Sequence, residues 1–159
     1  MVFKTSKIKE VLDTINLNLP PAPKPEGNYS VVNLRGDRLT VSIQFPFFQN
    51  QMLFQGRLGR ELSTKEGYLA MQLWGLNVLA QIQSELGVHD SIALSHLHRY
   101  YQCVEDWDDA PKVADGASDL FSQVLGNAGK HTRSLSGAAS LPRNFSVGLV
   151  TDFIHYPNY

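Results

Sequence analysis

Cysteine is nearly absent from this sequence. Cys103 stands alone among 159 residues, so no intramolecular disulfide can form and a cysteine-based zinc site is excluded. An excess of charge is missing too, because 14 Lys and Arg face 15 Asp and Glu for a formal net of −1. No global positive field exists to attract nucleic acid or anionic lipid, and neither is expected as a partner. Nor does any window approach the ~20 consecutive apolar residues of a membrane helix. The longest apolar stretch, 69–86, is broken by Gln72, Asn77, Gln81 and Gln83. The first residues lack the apolar core and cleavage site of a secretory signal, so a cytoplasmic location is expected. Neither G-x-x-x-x-G-K-[ST] nor G-x-G-x-x-G occurs, and no cofactor is expected.

What is present fits one globular domain. Hydrophobic residues make up 43% and charged residues 18%, and a chain of this length buries roughly 70% of its unfolded surface. Ile8, Val11, Leu12 and Ile15 recur at helical spacing and predict a helix over 6–16. A stiff connector follows, with prolines at 20, 21, 23 and 25. Residues 1–25 are therefore read as a helix and strap, and 26–159 as the main domain.

In that domain, 29–34 and 38–45 read as a hairpin turning at Gly36-Asp37, with Leu39, Val41, Ile43 and Phe45 sharing one strand face. A short strand is expected at 52–55. Ser63 and Glu66 form a capping box for a helix running to about Leu86, with Gly87 as its stop. Its apolar arc is too wide for a surface helix and requires packing on more than one side. Alternation over 90–103 predicts a strand with Ile92, Leu94, His96, His98 and Tyr100 on one face. Asp109 and Pro111 open a second long helix, which Gly126 ends. Two strands, 132–138 and 145–155, close the chain. This order gives an α+β fold, a mixed sheet with two long helices on one face.

Several candidate chemistries are weak. His96 and His98 share a strand face but have no evident third ligand, so packing is the simpler reading and no metal is expected. Cys103 is followed by Glu105, Asp106 and Asp108, which disfavour a thiolate. The acidic run 105–109 lacks the glycine-bearing loop of a calcium site. Arg57 and Arg60 make only a small basic spot.

The last third carries the more specific signal. Arg133-Ser134, then Leu141-Pro142, then a hydrophobic strand, follow one another in the order seen in the Rid (YjgF) family, which this sequence resembles. Gly27-Asn28-Tyr29 resembles that family's Gly-Pro-Tyr, and Ser42-Ile43-Gln44-Phe45-Pro46 its Ser-Gly-Gln-apolar-Pro strand end. The stretch 116–121 and the leading helix resemble a longer subgroup with an N-terminal extension.

The resemblance implies a chorismate-mutase-like fold and a homotrimer with ligand clefts between subunits. It also implies hydrolysis of reactive enamines or imines to a 2-keto acid and ammonia. In that setting Arg133 grips the carboxylate of a keto or imino acid, as a guanidinium fork is shaped to do. Tyr29 and Ser42 line the cleft. His131, two residues before Arg133, falls at the cleft rim. The family's deaminases carry a glutamate that handles water in the closing strand, and the matching position here is Gly148. The nearest acid in that strand, Asp152, lies about 13 Å further along. The family's glycine after the strand-end serine is Ile43, which narrows the cleft, and its frequent cysteine after Arg-Ser is Leu135. Three readings follow: an imine or enamine deaminase, a trimeric metabolite-binding protein without turnover, and an interaction module.

Overall fold

A serine–glutamate pair starts the longest element. In the computed structural model, which describes residues 1–49 and 51–157, Ser63 Oγ accepts the Glu66 amide at 3.2 Å. Glu66 Oε2 accepts the Ser63 amide at 2.7 Å, completing the capping box. The elements run β1 (Phe3–Lys4), α1 (Ile8–Thr14), β2 (Val32–Arg35), β3 (Arg38–Gln44), β4 (Phe47–Phe48), β5 (Gln51–Met52), α2 (Thr64–Glu85), β6 (Ser91–Tyr101), α3 (Ala110–Leu125), β7 (Thr132–Gly137) and β8 (Val147–Tyr156).

The fold is α+β, with α2 and α3 packed on each other and on one sheet. The strand order is β1-β6-β8-β3-β2, with β7 pairing parallel to β6 and the other pairs antiparallel. β4 and β5 form a separate hairpin. The middle of α2 is buried on all sides, Trp74, Leu79 and Ile82 included, as its wide apolar arc requires. Gly116 lets α3 approach closely, since a Cβ there would fall 2.1 Å from the Tyr68 carbonyl oxygen. That oxygen is helix backbone and cannot yield. No helix among the described residues is long and apolar enough to cross a membrane.

Several expectations need correction. The leading helix is shorter than 6–16, because Phe3–Lys4 pairs with β6 and Thr5–Lys7 is a 3-10 turn. α2 ends because Leu86 turns extended (ψ 149°), not through a left-handed Gly87. Asp109 makes no side-chain cap; it pairs instead with Lys112 at 2.8 Å and accepts from Thr64 at 2.9 Å. The strand expected at 52–55 is the second arm of the β4–β5 hairpin, which reaches only Met52.

The largest correction concerns β6. Leu94 pairs with Phe153 and His96 with Asp152, so β6 carries one extra residue at Ser95. Such a bulge reverses the side-chain alternation beyond it. Ile92 and Leu94 are buried, and after the bulge Leu97 and Arg99 take that side while His96, His98 and Tyr100 alternate with them. β3 bulges as well: three steps from Val41 to Gln44 face two from Thr151 to Leu149. Gln44 braces the bulge by donating to the Ser42 carbonyl at 3.1 Å.

Candidate functional site

The β3 bulge opens onto the main cavity. This space of about 650 Å³ lies between residues 20–26, the β3 end and the turn before β8. Tyr29, Val31, Ile43 and Phe45 line it from one side, and Pro142 and Phe145 from the other. Phe45 and Phe145 stack with centroids 4.9 Å apart and planes 12° from parallel, giving the cavity an aromatic floor. The proline strap is tied down where Gln81 Nε2 donates to the Pro23 carbonyl. Glu26 and Arg143 both line the cavity and pair with each other at 2.8 Å.

Tyr29 is thus on a cavity wall, 48% exposed, with its hydroxyl accepting the Glu26 amide at 3.4 Å. Ser42 lies in the β3 bulge and is not among the residues that line the cavity. Its Oγ is buried without a hydrogen-bond partner among the described residues, so it is not a hydroxyl satisfied within the sheet. The Ser42 amide donates to Val31 at 2.8 Å.

Arg133 is elsewhere. It lies on β7, and β6 and β8 separate β7 from β3, three strand spacings or about 14 Å. One chain therefore does not bring Arg133 to Tyr29 and Ser42. The Arg133 guanidinium, one-third exposed, meets Asp115 on α3 at 2.6 Å and Ser118 at 3.4 Å. Both bonds leave from Nη1, and no bond within the described residues uses Nε or Nη2.

Beneath Arg133 lies a second guanidinium. Arg99 is fully buried, with Nη2 donating to Ser118 at 2.6 Å and with Nε and Nη1 unpartnered among the described residues. Burial pushes it down to about 9, and repulsion from Arg133 adds to this. Because Ser118 Oγ accepts from both arginines, its own hydrogen goes to His131 Nε2 at 3.0 Å. His131 then donates from Nδ1 to the Gly129 carbonyl at 2.6 Å. Burial holds this imidazole below its usual range, so His131 is neutral and structural rather than a rim residue.

No acid replaces the family's glutamate in β8. A Cβ at Gly148 would stand 2.8 Å from Ile43 Cδ1 and 3.0 Å from Trp74 Cη2. Asp152 is engaged by the Arg38 fork at 3.2 and 3.1 Å and by the Thr40 hydroxyl. His96 bonds Thr132 and Ser134, His98 bonds Ser136, and no trio of His, Cys, Asp or Glu among the described residues could hold a metal ion.

Sequence reasoning missed Arg143, Glu26 and the aromatic pair. The Leu141-Pro142 motif pointed to the right turn, but nothing in the residue type marks Arg143 for the cavity wall.

Residues 9–156 match the family described as "YjgF/chorismate mutase-like, putative endoribonuclease". Protein TCP17 of Trypanosoma cruzi is 32% identical over 148 residues, 92% of either chain. A Shewanella oneidensis crystal structure, described as that of "a putative endoribonuclease", superposes with a TM-score of 0.88 at 31% identity, covering 92% of this chain and 98% of its own. A protein of unknown function from Agrobacterium tumefaciens gives 0.85 at 28% identity, covering 94% and 93%.

Proposed function

The chain belongs to the YjgF/chorismate mutase-like family, and from that premise we propose that it forms a homotrimer binding a small keto or imino acid between subunits. The cavity of one copy, with Tyr29 on its lining, is one wall of the cleft. Arg133 of a neighbouring copy is the other, taking the ligand carboxylate on its Nε–Nη2 side. The observation that carries this reading is the strand order, which keeps Arg133 and the cavity on opposite parts of one sheet. Only a second copy can bring them together on a small ligand.

Binding is better supported than turnover. Imine hydrolysis needs a group that moves a proton to or from water. Gly148 has none, and Ile43 fills the space a side chain there would enter. Glu26, the acid on the cavity wall, is paired with Arg143. We therefore read the protein as a metabolite-binding member of the family, with deaminase activity as the alternative that its relatives' motifs keep in view.

The test combines two measurements. Thermal stabilisation by 2-keto acids that disappears in Arg133→Ala supports the binding site. Ammonia released from 2-aminoacrylate above the buffer rate would instead make the protein an enzyme. No shift across the keto-acid panel would end the binding reading.

A further inference from the structure

The cavity has a guanidinium of its own, and it is not Arg133. Arg143 follows the Leu141-Pro142 turn with φ 52°, and Asn144 follows it with φ 58°. Consecutive non-glycine residues in the left-handed region are costly, and they persist only where their surroundings over-determine them. Three hydrogen bonds do so here. Gln55 Nε2 donates to the Arg143 carbonyl at 2.6 Å, Gly56 N to the Asn144 carbonyl at 2.7 Å, and Gln102 Nε2 to Asn144 Oδ1 at 3.0 Å. The strained turn puts Arg143 on the cavity wall beside the Phe45–Phe145 stack.

There its guanidinium meets one group among the described residues, Glu26 Oε1 at 2.8 Å. Glu26 directly follows the proline strap on the cavity lining and is 60% exposed, against 48% for Arg143. An exposed pair of this kind is worth only about a two- to fivefold factor in an equilibrium. A ligand carboxylate held inside a largely apolar cavity can displace it. The remaining wall is mostly proline, aromatic and branched aliphatic, with Lys24, Gln44 and Gln49 among them, and 650 Å³ is far more room than a three-carbon acid fills.

We propose that Arg143 is a ligand-binding residue for a carboxylate with a branched or aromatic body, and that Glu26 occupies it until that ligand arrives. This rests on the cavity being a keto- or imino-acid site, as proposed above, but not on Arg133. A carboxylate offers about four acceptor positions, so Arg143 and a neighbour's Arg133 can hold the same group.

Opposite signs in two variants test it, with phenylpyruvate and pyruvate as calorimetric probes of the full chain. Phenylpyruvate should bind about ten- to a hundredfold more tightly than pyruvate, the value of burying the added phenyl ring. Arg143→Gln should weaken phenylpyruvate about tenfold or more, because a charge-assisted bond is lost. Glu26→Gln should strengthen it about two- to fivefold, because the competing carboxylate is gone. Arg143→Gly suits the positive φ, so it keeps the turn while removing the guanidinium, and it should weaken binding as Arg143→Gln does.

If Arg143 only latches the strap to the turn, the Arg143 and Glu26 variants shift affinity in the same direction, and the inference is overturned. Equal affinity for the two acids overturns the ligand class. If Arg133→Ala alone removes binding while the Arg143 variants do not, the cleft reading survives and this inference fails. If neither acid binds the wild-type protein, both fail.

Discussion

Ile43 Cδ1 lies 2.8 Å from where a Cβ would stand on Gly148. The two positions at which the chain departs from the family's deaminase pattern are therefore one steric unit. The branched side chain in the β3 bulge occupies the space that a side chain at position 148 on β8 would enter. Restoring the acid alone gives it nowhere to go.

The first prediction follows from that contact. Gly148→Glu should destabilise the protein by about 1–3 kcal/mol or more, the usual cost of overpacking. Adding Ile43→Gly should recover part of the loss, giving a coupling energy of at least about 0.5 kcal/mol in a double-mutant cycle by urea denaturation. Additive losses would show that the two residues do not share this space.

Arg99 gives a second. It is buried with Nε and Nη1 unpartnered among the described residues, and a buried charge of this kind is often replaced by an apolar residue at no cost or with a gain. Arg99→Met should be neutral to stabilising by about 1–4 kcal/mol at pH 7. The pH dependence has a fixed sign. With the guanidinium lowered from its ordinary value to about 9, the unfolded chain holds more protons from about pH 9 up to the ordinary arginine range. The contribution of Arg99 to stability therefore rises with pH across that window. Denaturation midpoints of wild type and variant should converge there.

His131 behaves in the opposite range. Burial holds it below 6.5 in the folded chain, so the unfolded chain protonates first. Its contribution is full above pH 6.5 and is lost as pH falls toward the lowered value. His131→Gln should flatten the stability profile below neutrality. An unchanged slope would mean that the imidazole takes up its proton as readily in the folded chain as in the unfolded one.

Ser63→Ala should cost about 1 kcal/mol, because it removes the acceptor for the Glu66 amide and leaves half of the capping box unmade. A thermal scan reads this directly. No change in Tm would mean that tertiary packing alone sets the start of α2.

Much of the fold is legible in local chemistry. The capping box, Pro111 in the first turn of α3 and Gly126 beyond its end each mark a boundary through a hydrogen bond or dihedral that few residue types supply. The alternation of Val147, Leu149, Thr151 and Phe153 is read correctly because β8 has no bulge within it. β6 is misread at Ser95, where an inserted residue reverses every later face without any signal in the residue itself. Gly87 looked like a stop, yet α2 ends one residue earlier because Leu86 goes extended. The site divides in the same way. The Leu-Pro motif located the turn, while the left-handed Arg143 is imposed by hydrogen bonds from Gln55, Gly56 and Gln102, which come from distant parts of the chain.

The most direct measurement is complementation between two defective copies. Arg133→Ala removes one wall of the proposed cleft, and Val31→Trp fills the cavity that forms the other. Each protein alone should fail to bind phenylpyruvate by calorimetry. Co-refolded in equal amounts, mixed trimers should recover about a quarter of the wild-type sites, since each cleft draws its walls from two chains independently. No recovery, or a monomer mass by light scattering, would contradict a site shared between subunits.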